Sequence, residues 1–424
     1  MTPTATLAAE LAQAARMVAR VAAGRSLSDQ FEHYTDVAQA SRAALIDLTH
    51  GTLRRYGRVQ ACVRELSARG RADERIEALL WCALYAIDSG RYREHTVVDQ
   101  AVRACMLLEQ WSAKGYVNAL LRRYLRERAA IEAAIQRDEI ARYQYPQWWI
   151  DLARLSHPRD WQATLAAGNG HPPMGLRVNR RRADVAAYQA ELARHGMNAR
   201  HCGGEALLLE RPLPVERLPG FAAGQVSVQD VGAQRAAHLL DLRAGQRVLD
   251  ACAAPGGKSA HMLELADVAL SALELDAARS ARIAANLERL GLRAQVQVGD
   301  AAKPAQWWDG VPFDRILVDV PCSASGIVRR HPDVKWLRRA QDLPAFAARQ
   351  RLIIDELWRL LAPGGKLLYA TCSLFVEEND RVIESFLASA LRARRLALAD
   401  GQAGQWLPTA EHDGFYYALI EKHA

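Results

Sequence analysis

The sequence predicts two fold classes in one chain: an all-α N-terminal domain, then an α/β domain with a Rossmann-like sheet carrying helices on both faces. Three observations carry that expectation. Over the first ~135 residues, apolar positions recur at three–four spacing with no strand-like alternation. From about Phe221 the pattern becomes strand, turn, helix, repeated, which builds a parallel sheet covered on both sides. The chain has 424 residues, half of them apolar and 24% charged, which suffices for roughly two to four domains and excludes a largely disordered protein.

Within the helical part, Leu45, Leu48 and Leu53 mark one helix and Val59 to Leu66 another. Ile76, Leu79, Leu80, Ala83, Leu84 and Ile87 form a further stripe, stopped by Asp88-Ser89-Gly90. Val98, Ala101, Val102, Cys105 and Met106 repeat the pattern. So do Val117, Leu120, Leu121, Tyr124 and Leu125, with Arg122, Arg123, Arg126 and Arg128 largely off the stripe. Cys62, Cys82 and Cys105 read as small core residues. This first domain spans 1–138. The aromatic and proline cluster Tyr143 to Trp149 marks its boundary. A small α/β connector, 139–220, follows: an extended piece (Met174 to Asn179), a helix (Ala183 to His195), Leu207-Leu208-Leu209 and a proline-punctuated loop.

The third segment, 221–424, holds strands at Val248-Leu249-Asp250, Ala269 to Leu275, Val296 to Val298, Ile316-Leu317-Val318 and Lys366 to Tyr369. Helices are expected at Lys258 to Leu265, Ala277 to Leu290 and Ala348 to Leu361, and Phe415 to Ile420 suits an antiparallel edge strand.

Lysine and arginine exceed aspartate and glutamate by 55 − 48 = 7, a charge that permits a polyanionic partner without requiring one. No apolar run approaches the ~18–20 residues of a membrane span. Glu10 and Gln13 interrupt the alanine-rich start, so no signal-peptide core is expected there. Seven cysteines without C-x-x-C spacing make neither a disulfide scaffold nor a structural zinc site, and no metal site is expected. A reducing cytoplasm is the expected location.

The chemistry begins at Asp250-Ala251-Cys252-Ala253-Ala254-Pro255-Gly256-Gly257-Lys258, a strand entering a glycine-bearing turn that opens a helix. Such a turn lets a ligand approach the backbone and meet helix N-terminal N–H groups. The glycine–lysine spacing is not that of a P-loop. Glu274, at the end of the next strand, is placed to take ribose hydroxyls, and Asp300 is a second strand-end acceptor. This set suits adenosine without a pyrophosphate, so S-adenosylmethionine fits better than NAD.

Two cysteines also follow strands: Cys322 in Asp319-Val320-Pro321-Cys322-Ser323, and Cys372 in Tyr369-Ala370-Thr371-Cys372-Ser373. Thiol, carboxyl group and methyl sulfonium together suit methylation at carbon 5 of a pyrimidine. A thiolate adding to carbon 6 makes carbon 5 nucleophilic, and a carboxyl group at N3 and the exocyclic amine stabilises the adduct. The thiol must ionise, and Arg329, Arg330, His331 and Lys335 are candidates for the cationic field that promotes this. Chemistry alone leaves open which thiol attacks.

These blocks, with the stretch Ser325 to Trp336, resemble the RNA cytosine-5 methyltransferases of the Nop2/Sun family, in particular its bacterial Sun/RsmB (Fmu) branch. The resemblance extends over essentially the whole chain, with a NusB-like RNA-binding front end and Asp413-Gly414-Phe415-Tyr416 as the closing strand. It implies that Cys372 is the nucleophile and that Cys322 helps release the product. It further implies that Cys252, Ala253, Ala254, Pro255, Gly256, Gly257 and Lys258, with Glu274, Asp300 and Asp319, hold S-adenosylmethionine, and that Asp319 also faces the cytosine. Glu274 departs from the aspartate common among relatives. The implied reaction is 5-methylcytosine formation in 16S ribosomal RNA, unassembled or partly assembled, with no membrane and no obligate protein partner. Transfer RNA or 23S RNA as substrate, or a non-catalytic assembly factor, are the alternatives. The cluster Arg177-Val178-Asn179-Arg180-Arg181-Arg182 and the arginines from Arg122 onward are candidate phosphate contacts.

Overall fold

Every residue from Ile76 to Ile87 is buried, which makes the helix Glu74–Asp88 the centre of a helical unit rather than a surface helix with one apolar stripe. The computed structural model describes residues 6–32, 39–67 and 73–423. It forms two compact units, Met1–Gly170 with Val328–Ala340, and His171–Ile327 with Gln341–Ala424.

The first unit contains α1 (Leu7–Ala22), α2 (Leu27–Glu32), α3 (Gln39–Arg54), α4 (Tyr56–Leu66), α5 (Glu74–Asp88), α6 (Glu94–Leu107), α7 (Lys114–Ile135), α8 (Glu139–Tyr143), α9 (Gln147–Ser156) and α10 (Trp161–Asn169). Carboxylates start two of them: Asp73 accepts from Arg75 N (2.9 Å) and Asp138 from Ile140 N (2.9 Å). Gly90, at φ +68°, ends α5 in the left-handed conformation that glycine adopts without strain. Cys62, Cys82 and Cys105 lie in the core, as expected. On α7, Arg123 pairs with Glu127 (2.8 Å) and Arg128 with Asp88, while Arg122 and Arg126 stay exposed.

The second unit opens with β1 (Met174–Val178), α11 (Val185–Arg194), β2 (Ala199–His201), β3 (Ala206–Leu209) and β4 (Val226–Val228). The four strands form an antiparallel sheet in the order β2-β3-β1-β4, with Leu176 opposite both Leu207 and Val228. Helices α8 to α10, which lie within or border the 139–220 segment, pack with the first unit instead.

After α12 (Val231–Leu239) come β5 (Arg247–Ala251), α13 (Gly257–Leu265), β6 (Ala269–Glu274), α14 (Ala277–Leu290), β7 (Gln295–Val298) and β8 (Phe313–Asp319). The chain then passes through α15 (Val334–Leu337), part of the first unit, before α16 (Leu343–Arg359), β9 (Leu361–Thr371), α17 (Asp380–Ser389), β10 (Ala393–Leu396), β11 (Gln405–Trp406) and β12 (Phe415–Lys422). The large sheet runs β7-β6-β5-β8-β9-β12-β10, with β11 also on β12. Strands β5 to β9 are parallel, and β12 is antiparallel to β9. Alternate strand residues feed two cores. Leu249, Ile316 and Tyr369 meet Ile353, Leu357 and Phe386 on one face. Val248, Leu317 and Leu368 meet Ala236, Ala260 and Ile283 on the other. Helices therefore cover both faces, as expected. The chain reverses direction across the sheet between β5 and β8, and ligands of open α/β sheets lie at such a switch point, beyond the strand C-termini.

Three expectations need correction. The strand Phe415–Lys422 is not an edge: both its ladders are used, and the exposed Arg394 and Arg395 of β10 mark the outside instead. Arg177 is no phosphate contact. It is fully buried, and its guanidinium forks onto both oxygens of Glu264 on α13 (2.8 Å each). Lys335 is neither solvated nor part of a cationic surface. It is fully buried in the first unit, where Nζ donates to Arg54 O (3.1 Å), Gln144 O (2.9 Å) and Asn169 Oδ1 (2.9 Å). In the same segment Asp333 accepts from Leu27 N (2.9 Å), Trp336 Nε1 donates to Leu53 O (2.9 Å), and the buried Arg329 gives its carbonyl to Arg54 (2.8 Å).

Candidate active site

The turn after β5 is shaped by two left-handed residues, Cys252 at φ +62° and Gly256 at φ +91°. A Cβ on Gly256 would stand 3.1 Å from Ile283 Cγ2 and 3.2 Å from Ile283 Cα, so both conformation and space call for glycine. Ala253 N donates to Leu273 O (3.0 Å) and Ala254 N to Glu274 Oε2 (3.1 Å), which docks the turn on the end of β6. Glu274 is buried with Arg279 at 3.4 Å. Gly299 N bonds Glu274 O (2.9 Å) and delivers Asp300, whose carboxylate accepts from Ala302 N (3.0 Å) and pairs with Arg349. At the end of β8, Asp319 pairs with Lys258 from the first turn of α13. The predicted turn and its three strand-end acids thus converge on one crevice.

Beneath the turn lies Asp250. Ser259 Oγ donates to its Oδ2, its Oδ1 has no hydrogen-bond partner, and burial pushes its pKa up to about 7. Burial, then the Asp319 carboxylate, push the Cys252 thiol up to about 12, so it lines the site as a neutral group.

Cys322 and Cys372, following β8 and β9, come together with their sulfurs 3.3 Å apart. The hydrogen bond to Cys322, then burial and the Asp319 charge, hold the Cys372 thiol well above its ordinary value, while Lys258 acts in the opposite direction. Burial alone would lower the pKa of Lys258, but Asp319 outweighs it and keeps the ammonium charged. Lys258, which was not among the four cations expected from sequence, thus lowers the pKa of the thiol.

Sequence reasoning missed what holds the two cysteine loops in register. Buried Glu378 accepts from Ser323 N (2.8 Å) and Gln350 Nε2 (3.1 Å), and also binds Ser373 Oγ. Ser373 Oγ lies 3.2 Å from both Ser323 Oγ and Ser325 Oγ, and Ser325 Oγ accepts from Leu374 N (2.7 Å). Asn379 ties Thr371 (2.6 Å) to Ser373 O (2.9 Å). The available signal was Glu377-Glu378-Asn379 directly after the apolar Leu374-Phe375-Val376, polar residues brought beside a strand end.

Comparison with known proteins agrees with this geometry. Residues 237–421 match the family described as 16S rRNA methyltransferase RsmB/F, 145–216 match the ferredoxin-like domain of RsmF/B-like methyltransferases, and 9–126 match the NusB family. Ribosomal RNA small subunit methyltransferase B of Pseudomonas putida is 43% identical, over 97% of this chain and 98% of that protein. The Vibrio cholerae protein of the same name is 41% identical over 94% of each. The chain belongs to the RsmB/F methyltransferase family. Among solved structures, PH0851 superposes at a TM-score of 0.79 with 23% identity, covering 97% of this chain and 98% of that one, a likeness of fold. A methyltransferase homologue from Pyrococcus horikoshii gives 0.59 with 26% identity, covering 67% and 98%.

The cofactor of this RsmB/F-family enzyme is S-adenosylmethionine, and the residues present fit it. The strand-end carboxylates Glu274 and Asp300, beside the turn that Gly256 shapes, are the acceptors a ribose needs. Among the described residues no helix is long and apolar enough to cross a membrane.

Proposed function

We propose that the chain methylates carbon 5 of a cytosine in 16S ribosomal RNA, working in the cytoplasm on unassembled or partly assembled RNA. The observation that carries this reading is the pair of strand-end thiols, 3.3 Å apart, beside the Lys258–Asp319 ion pair. Cys372 is the nucleophile and adds through sulfur to carbon 6 of the ring, which makes carbon 5 nucleophilic. Lys258 favours the thiolate and orients Asp319, whose carboxyl group engages N3 and the exocyclic amine. Bound S-adenosylmethionine supplies the electrophilic methyl group, held by Cys252 to Lys258, Glu274, Asp300 and Asp319. After loss of the carbon-5 proton, Cys322 assists expulsion of the Cys372 sulfur and release of the product. The NusB-like helical unit contributes RNA affinity, with the exposed Arg122 and Arg126 of α7 as phosphate contacts. Such chemistry needs an unstacked cytosine, which RNA loops offer.

Denaturing gels of purified variants mixed with ribosomal RNA and S-adenosylmethionine test the roles. Cys322→Ala should accumulate protein covalently attached to methylated RNA. Cys372→Ala should give no such band and no methylation while still binding S-adenosylmethionine. A band from Cys372→Ala and none from Cys322→Ala would reverse the assignment. Bisulfite sequencing of 16S, 23S and transfer RNA from a deletion strain tests the substrate, and a lost 5-methylcytosine outside 16S RNA would overturn it.

A further inference from the structure

Away from the cysteine crevice, three side chains from separate parts of the second unit converge: Glu205 just before β3, His238 on α12 and His261 on α13. Their ligating atoms all lie within 4.8 Å of one another. His238 Nε2 is 2.9 Å and His261 Nε2 3.6 Å from the same oxygen, Oε2 of Glu205, while Arg180 holds the other oxygen at 3.1 Å. The two imidazoles stand edge to face, with ring centroids 5.2 Å apart.

A carboxylate–histidine hydrogen bond accounts for His238 but leaves His261 unexplained. That ring is fully buried; its Nδ1 has no hydrogen-bond partner, and its Nε2 stands 3.6 Å from Glu205 Oε2, beyond hydrogen-bond distance, an arrangement folded proteins rarely leave unused. We propose that Glu205, His238 and His261 bind one first-row divalent transition-metal ion of the zinc class. Two imidazole nitrogens and a carboxylate oxygen are the donor set such ions prefer, at about 2.0–2.2 Å, and closing the present spacing around an ion takes shifts of an ångström or less. His238 is exposed and, with Glu205 and Cys202, borders a cavity of about 350 Å³, which provides an entry path and an open coordination position. Lacking Cys-x-x-Cys spacing, this set was invisible in sequence. The ion would tie the turn before β3 to α12 and α13, and α13 is the helix opened by the Gly256 turn.

The full-length protein, stripped with a chelator, should take up one equivalent of Co²⁺ with visible d–d absorption that Zn²⁺ abolishes. His238→Gln, at an exposed position that the fold tolerates, should weaken Co²⁺ binding at least ~10-fold, the effect of removing even outer-shell partners elsewhere. His261→Gln should weaken it as much or more, and the Cys322→Ser/Cys372→Ser double variant should leave it unchanged. No saturable single-equivalent binding, equal binding by His238→Gln, or loss of binding in the double cysteine variant would each overturn the proposal.

Discussion

Two lysines, the half-buried Lys258 of the α/β unit and the fully buried Lys335 of the helical unit, do opposite things. Lys258 in the α/β unit faces a carboxylate, Asp319, and keeps its charge against the cost of burial. Lys335 in the helical unit meets, among the described residues, neutral acceptors, two carbonyls and an amide oxygen, with the Tyr145 ring 4.5 Å away, and burial followed by the Arg54 charge drives its pKa far down. The first is a charge held on a carboxylate beside a thiol, and the second is an architectural tie joining α3, α8 and α10 to the returning segment 328–340. Burial alone tells nothing of function; the kind of partner does.

The sharpest way to break this contrast is to remove each amine. Lys258→Met should lower methyl transfer by roughly 10²–10³-fold, because Asp319 loses its cation and the Cys372 thiolate an opposing positive charge, with little change in the unfolding transition. Lys335→Met should leave turnover per folded molecule intact while costing about 2–4 kcal/mol of stability, since three buried acceptors lose their donor. Turnover assays and denaturant melts of both variants read the two effects separately, and exchanged phenotypes would sink the comparison.

A smaller effect is expected at Glu378. Glu378→Gln puts an amide against Gln350 and Ser373, which should cost about 1–3 kcal/mol and loosen both cysteine loops. Faster hydrogen exchange confined to 322–326 and 372–379 would report it, and unchanged exchange there would dismiss Glu378 as the organiser.

The smallest effect concerns pH. Because the Cys372 pKa lies above that of an ordinary thiol, the neutral form dominates near pH 7, and alkylation by iodoacetamide should be slow there and accelerate as pH rises. In Cys322→Ala the largest cause of that elevation is gone. The alkylation profile should move to lower pH, with a rate at pH 8 raised roughly threefold to tenfold. Mass spectrometry of the 372 peptide measures it, and a slower rate in the variant would contradict the thiol–thiol coupling.

The contrast also explains what could be read in advance. Helices α5, α6, α7 and α14 were legible because apolar residues recur with the helical period, and β5 to β9 because apolar runs alternate with turns and helices. The Gly256 turn, Glu274, Asp300 and the two thiols were legible because in such a sheet ligand-binding residues sit immediately after strands, a local relation. What escaped is non-local. Arg177 read as a phosphate contact and Lys335 as part of the cationic field at the thiol, since composition says nothing of a carboxylate on α13 or of carbonyls far along the chain.

By itself, then, the sequence determined which stretches are helix and strand, where the glycine-bearing turn after a strand lies, and that two cysteines end neighbouring strands, because each follows from periodicity and short-range order along the chain. Only the tertiary structure decided that 328–340 leaves the α/β unit to join the helical one, that Lys258 meets a carboxylate whereas Lys335 meets carbonyls and an amide oxygen, that Glu378 locks the thiol loops, and that Glu205, His238 and His261 share one point in space. Those outcomes depend on which polar groups burial forces together, and desolvation is settled by the packed fold, not by neighbours in sequence.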